Sequence, residues 1–169
     1  KIFEFKRKEK DKPFNIAEVG VYAGDYSLKI INFFHEKGIN IDNFYLIDPY
    51  KSFDTEYNQK NLDESFDEAQ NKLKKFNFCK FIRKTSLEAS KEIQDETLDF
   101  VYIDGNHKFE YVYEDLNIWF DKVKKEGIIF GDDYLGPYGI QKAVNKFSFE
   151  KKLIVHFSDN YKQFFIQKY

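Results

Sequence analysis

Carboxylates gather at two places in this sequence, each just beyond an apolar run: Tyr102-Ile103-Asp104-Gly105-Asn106-His107 and Phe130-Gly131-Asp132-Asp133-Tyr134. If the two runs are neighbouring strands, Asp104, Asp132 and Asp133 converge on one edge. Three clustered carboxylates repel one another unless a cation lies among them. Hard oxygen donors of this kind suit Mg²⁺, Mn²⁺ or Ca²⁺. The competing account is helix capping and turn formation, which Asp also favours. His107 follows Asp104 by three positions, and an imidazole with an unperturbed pKa of about 6.5 suits a general base. A structural hydrogen bond is the alternative for it.

A second chemical segment lies near the start of the chain: Glu18-Val19-Gly20-Val21-Tyr22-Ala23-Gly24, followed by Asp25-Tyr26-Ser27. Glycines at 20 and 24 let a backbone turn sharply and approach a ligand closely. A ligand there would sit at a helix N-terminus, outside the carboxyl ends of the strands. The spacing is not the dinucleotide pattern Gly-x-Gly-x-x-Gly, which counts against a nucleotide-dependent oxidoreductase. Alone, such a loop is equally a tight turn with no ligand. Asp48, before Pro49 at the end of the next apolar run, adds a carboxylate able to accept hydrogen bonds from a ribose diol; a turn cap is its bland reading.

These residues need elements to position them, and the chain supplies strand-like runs alternating with helical patterns. Residues 1–13 are charged, end at Pro13, and read as a lead-in to a single domain over 14–169. The expected strands are Phe14–Val21, Asn43–Ile47, Phe78–Arg83, Leu98–Ile103 and Gly127–Phe130. Between them lie an expected helix over Asp25–Lys37 and a helical face carrying Leu62, Phe66, Ala69, Leu73 and Phe76. A further helix is marked by Val112, Leu116, Trp119, Phe120 and Val123, and a short one by Gly139–Phe147. Leu153–Phe157 and Gln163–Gln167, separated by Ser-Asp-Asn-Tyr, suit a closing hairpin. Strands joined by helical crossovers imply α/β architecture: a Rossmann-like, doubly wound, mostly parallel sheet, with one antiparallel strand from the hairpin.

Composition narrows the classes. At 169 residues, 20% aromatic, the chain can bury a large core. A net charge of −2 with both signs interspersed indicates no nucleic-acid footprint. One cysteine, Cys79, suits a reducing, cytoplasmic setting. No apolar run approaches the roughly 20 residues of a membrane span. The chain starts at Lys1 and contains no Met, as a processed or excised piece would.

Taken together, Glu-x-Gly-x-x-x-Gly, Ile-Asp-Pro, Tyr-Ile-Asp-Gly-Asn-His and Gly-Ile-Ile-Phe-Gly-Asp-Asp-Tyr resemble class I S-adenosylmethionine-dependent methyltransferases. The nearest subgroup is the small bacterial type with Asp-Gly-x-His after the fourth strand, similar to metal-dependent sugar O-methyltransferases. The resemblance spans about residues 14 to 167 and implies a seven-stranded sheet. It implies that Glu18, Gly20, Tyr22, Gly24 and Ser27 line the donor's amino-acid and ribose portion, with Asp104 bordering it. Asp48 would hold the ribose hydroxyls, and Ser86, in Lys84-Thr85-Ser86-Leu87, would border the adenine. Asp104, Asp132 and Asp133 would bind Mg²⁺, and His107 with Asp104 would carry catalysis. The implied activity is O-methylation of a small polar acceptor such as a sugar hydroxyl. Metal-independent N-methylation, or a catalytically silent binding domain on the same fold, are the other outcomes. Relatives carry extra N-terminal helices over the substrate, so a lid from Tyr50–Phe76, with Phe53, Tyr57 and Phe66 facing substrate, or a homodimer, is expected to complete the site. Core packing is the stronger expectation for Phe66.

Overall fold

The computed structural model describes residues 12–52, 58–136, 139–159 and 162–169. Seven strands form one sheet: β1 (Phe14–Val19), β2 (Ile41–Ile47), β3 (Cys79–Ile82), β4 (Leu98–Ile103), β5 (Val123–Gly131), β6 (Val155–Phe157) and β7 (Phe164–Gln167). Their order across the sheet is β3-β2-β1-β4-β5-β7-β6, and β7 alone runs against its neighbours. The helices are α1 (Asp25–Glu36), α2 (Gln59–Leu73), α3 (Ser86–Ser90), α4 (Phe109–Lys122) and α5 (Ile140–Lys151). This is the expected doubly wound sheet with its single antiparallel strand.

Strand pleating assigns the helices to faces, because alternate side chains point to opposite sides. Ile16, Phe100, Tyr102, Ile128 and Phe130 pack with Ile30, Ile31 and Phe34 of α1 and Leu62, Ala69 and Leu73 of α2. Ala17, Val19, Val101, Ile103 and Ile129 pack instead with α4 and α5, around the fully buried Trp119 and Phe147. Two covered faces explain why β4 and the Gly127–Gly131 half of β5 read as nearly unbroken apolar runs. Asp99 interrupts β4 at its amino end, where it accepts from Asn15 N–H (2.9 Å) and pairs with Lys124 (2.9 Å).

The expected elements are all present, with shifted ends. β1 stops at Val19, so Gly20 and Val21 belong to the loop. α4 starts at Phe109 and passes into β5 without a connecting loop. α3 was not expected from periodicity; it is five residues long and is held by a capping box, Thr85 with Glu88. Phe66 packs against Tyr50 (4.8 Å between ring centroids) and Phe81 (5.8 Å), which is core packing. Phe53 and Tyr57 lie outside the described residues. Among the described residues, no helix is long and apolar enough to cross a membrane.

The carboxyl ends of β1 and β4 are drawn together at Gly20. Asp104 N–H donates to the Val19 carbonyl (2.8 Å) and Gly20 N–H to the Ile47 carbonyl (2.9 Å). Gly20 has φ +91°, and a Cβ there would stand 2.1 Å from the Asp104 carbonyl oxygen. Both terms forbid a side chain. At Gly24 (φ +75°), where α2 crosses the start of α1, an added Cβ would meet Ala69 Cα at 3.2 Å, a milder conflict. Gly20→Ala is therefore expected to lower stability by more than about 3 kcal/mol, and Gly24→Ala by roughly 1–3 kcal/mol. Equilibrium urea unfolding of the two variants checks the ranking; equal losses would contradict it.

Candidate functional site

The loop after β1 is fastened from several sides. Asp48, at the end of β2, accepts the N–H groups of Val21 and Tyr22 on one oxygen (3.0 Å each) and that of Tyr50 on the other (2.8 Å). The bond to Tyr50 closes a turn around Pro49, so both sequence readings of Asp48 meet here: it caps the turn and it faces the glycine loop. A carboxylate has about four acceptor positions, so one remains for a hydroxyl. Tyr50 O–H reaches the Tyr22 carbonyl (2.9 Å), and Lys72 reaches the Ala23 carbonyl (3.0 Å) and Asp25 (2.6 Å). Tyr22 itself is 51% exposed, with φ 48°.

Glu18 lies beneath this loop, fully buried. Ser27, also buried, donates its hydroxyl to Glu18 Oε2, whereas Oε1 has no hydrogen-bond partner. Ser27 thus turns inward and bears on the loop through Glu18. Burial, against the hydrogen bond from Ser27 and with added repulsion from Asp104 and Asp48, pushes the Glu18 carboxyl up to about 8.

The second cluster lies at the ends of β4 and β5. Tyr102 O–H donates to Asp104 Oδ2 (3.1 Å), and Tyr102 stacks on Tyr26 (4.2 Å). His107 Nε2 stands 3.3 Å from Asp104 Oδ1, and its Nδ1 stands 3.9 Å from Asp133 Oδ2. The His107 carbonyl accepts from Gly139 N–H (3.1 Å), which ties the loop to the start of α5. Asp132 turns another way, toward Gln163 Nε2 (3.4 Å), which also reaches Tyr26 O–H (3.3 Å). Asp133 has φ 54°, and this left-handed turn separates the paired carboxylates. The three acids therefore share an edge but do not gather on one point: the imidazole lies between Asp104 and Asp133. Among the described residues, no three His, Cys, Asp or Glu side chains are grouped so that they could hold a metal ion. The carboxylates as arranged do not fit the expected Mg²⁺.

Ser86 also differs from expectation. Its hydroxyl accepts from Trp119 Nε1 (2.8 Å) and bonds to Asp115, so it faces the protein interior. Asp115 was missed by sequence reasoning, although a signal existed: it stands on the apolar face of α4, between Val112 and Trp119 at helical spacing. Gln163, which joins the two clusters, carried no such signal. Beside Gln163, against α1, lies an open cavity of about 310 Å³ walled by Tyr26, Ile30, Phe33, Phe100 and Phe130, with Lys29 at its side.

Comparison with known proteins matches residues 17–134 to the methyltransferase domain family. No curated protein matches the sequence. Among solved structures, the O-methyltransferase NovP superposes with a TM-score of 0.71 at 13% identity, over 92% of this chain and 72% of that one. A putative caffeoyl-CoA O-methyltransferase from Staphylococcus aureus gives 0.66 at 16% identity, over 91% and 75%. An O-methyltransferase from Bacillus cereus, solved with SAH, gives 0.60 at 13%, over 90% and 72%.

Because the raised Glu18 favours its neutral form in the fold, its contribution to stability is complete below about pH 4.5 and is lost as the pH rises toward about 8. Glu18→Gln keeps the shape and removes the charge. It is expected to raise stability at pH 8 by roughly 1–3 kcal/mol and to flatten the decline between those limits. Thermal unfolding across that range checks this; a variant less stable than the parent at pH 8 would refute the neutral, buried acid.

Proposed function

We propose, from the premise that the chain belongs to the methyltransferase domain family and is an S-adenosylmethionine-dependent methyltransferase, that it methylates a hydroxyl of a small polar acceptor, such as a sugar. The observation that carries the choice of a hydroxyl is the His107–Asp104 pair beside the glycine loop. A hydroxyl is a poor nucleophile until it loses its proton, whereas a neutral amine attacks through its lone pair without prior deprotonation.

The donor fits the edge on two counts. The buried Glu18 oxygen without a partner marks a place where a cationic ligand would be favoured. Asp48 keeps an acceptor position for a ribose hydroxyl. Glu18, Gly20, Tyr22, Gly24, Ser27 and Asp48 would hold the donor's amino-acid and ribose portion, directly or through one another, and the segment at Ser86 its base. When bound, the donor supplies an electrophilic methyl group on a sulfonium. The protein's task is to hold the acceptor oxygen in line with that carbon, at about 3–3.5 Å.

In the tautomer that gives its Nε2 proton to Asp104, His107 would take the acceptor's proton at Nδ1. Asp104 then stabilises the imidazolium, in the manner of an acid that orients a basic histidine. No step runs through a metal ion. A cytoplasmic setting belongs to the same reading, since a single cysteine suits a reducing compartment.

His107→Ala is expected to lower kcat by about 10²–10⁴, with affinity for S-adenosylhomocysteine kept within about threefold. A loss below tenfold would return His107 to a structural role. Isothermal titration with S-adenosylhomocysteine and with NAD tests the donor; binding of NAD alone would sink the assignment. With the imidazole between Asp104 and Asp133, the rate is expected to survive exhaustive chelation. A rate lost with EDTA and restored by Mg²⁺ would show the gap opening for an ion.

A further inference from the structure

We infer that Asp115 is a positioning residue for the base of the nucleoside donor, acting through Ser86 and from beneath Gly105; this rests on the donor assignment proposed above. Asp115 is 6% exposed on the face of α4 that otherwise buries Val112, Leu116 and Trp119. An apolar residue there would avoid the cost of burying a carboxyl group, so packing alone gives no reason for an acid.

Its contacts supply one. Ser86 is the first residue of α3, directly after the cap at Thr85. The Ser86 hydroxyl takes the indole N–H of Trp119 at 2.8 Å and gives its own proton to Asp115. A hydroxyl has one proton to give, so the side chain is committed to the interior and its rotation is fixed. The other reach of Asp115 is toward the loop after β4: a Cβ added to Gly105 would lie 3.8 Å from Asp115 Oδ2 and 3.8 Å from Val19 Cγ1. One carboxyl group thus abuts both the segment after β3, proposed to border the base, and the loop that carries Asp104. Past the bond from Asp104 N–H to Val19 the loop runs beyond the sheet, and α3 is too short to be rigid by itself. Burial raises the Asp115 carboxyl to about 7, so a neutral side chain of the same shape is a fair substitute near neutrality.

Three variants test the role: Asp115→Leu, Asp115→Asn and Ser86→Ala, each first shown to fold by near-UV circular dichroism. S-adenosylhomocysteine is titrated into each, and kcat is measured at saturating S-adenosylmethionine. Asp115→Leu is expected to weaken binding at least tenfold with kcat within threefold of the parent. Asp115→Asn, which can still accept from Ser86, is expected to bind within threefold of it. Ser86→Ala should weaken binding about as much as Asp115→Leu, and the double variant no further, because both remove one link. A folded Asp115→Leu that binds as tightly as the parent overturns the inference. Should Asp115→Leu not fold, unchanged binding by Ser86→Ala does the same. A parent protein that binds no S-adenosylhomocysteine overturns the donor assignment itself, a result distinct from either.

Discussion

Gly20 rests against the carbonyl of Asp104 at a distance that leaves no volume for a methyl group. That contact fixes the separation between the loops after β1 and β4, and the rest of the site is arranged about it. Because Asp104 N–H also donates to the end of β1, the start of the acidic loop inherits its position from the first strand. His107 follows from Asp104, and α5 follows from His107 through Gly139. On the other flank, Asp48 gathers three backbone N–H groups of the glycine loop and its neighbour. A loop held this way needs little reorganisation on meeting a ligand, which is what preorganised recognition requires.

The edge also gathers several acids. Glu18, Asp48 and Asp104 repel one another enough to contribute to the raised carboxyl of Glu18. The fold tolerates this partly by leaving one acid neutral and partly by hydrogen bonds from Ser27, Tyr102 and backbone groups. A ligand carrying positive charge would find a field already prepared for it. The two carboxylates at the end of β5 do not act as a unit, since the left-handed turn at Asp133 sends them to different partners; Asp132 joins Asp104 in the field at Tyr26 and Tyr102.

Much of this was legible beforehand because it follows from periodicity. Apolar runs gave the strands, and the step from Leu62 to Leu73 gave α2. Residues at strand ends could be placed on one edge because parallel strands with crossovers leave no other arrangement. The misses have physical causes. α3 has too few residues to show a period, and only its Thr85–Glu88 box announced it. Ser27 and Glu18 pair across a loop, nine positions apart, where no local rule operates. The directions of Asp132 and Asp133 depend on a single backbone torsion, and Ser86 turned inward because of Asp115, a residue from another helix. Strand-end placement can be read from a sequence; the aim of a side chain at that end depends on neighbours the chain brings in from elsewhere.

The sheet ends in two very short strands, β3 with four residues and β6 with three. An edge strand displays unpaired amide and carbonyl groups, and a long flat one invites a foreign strand to add to it. Here neither border offers more than a few consecutive groups, and β3 also carries an exposed lysine, Lys80. The chain can thus keep strongly apolar strands, β4 and β5, at its centre while its margins resist templated aggregation.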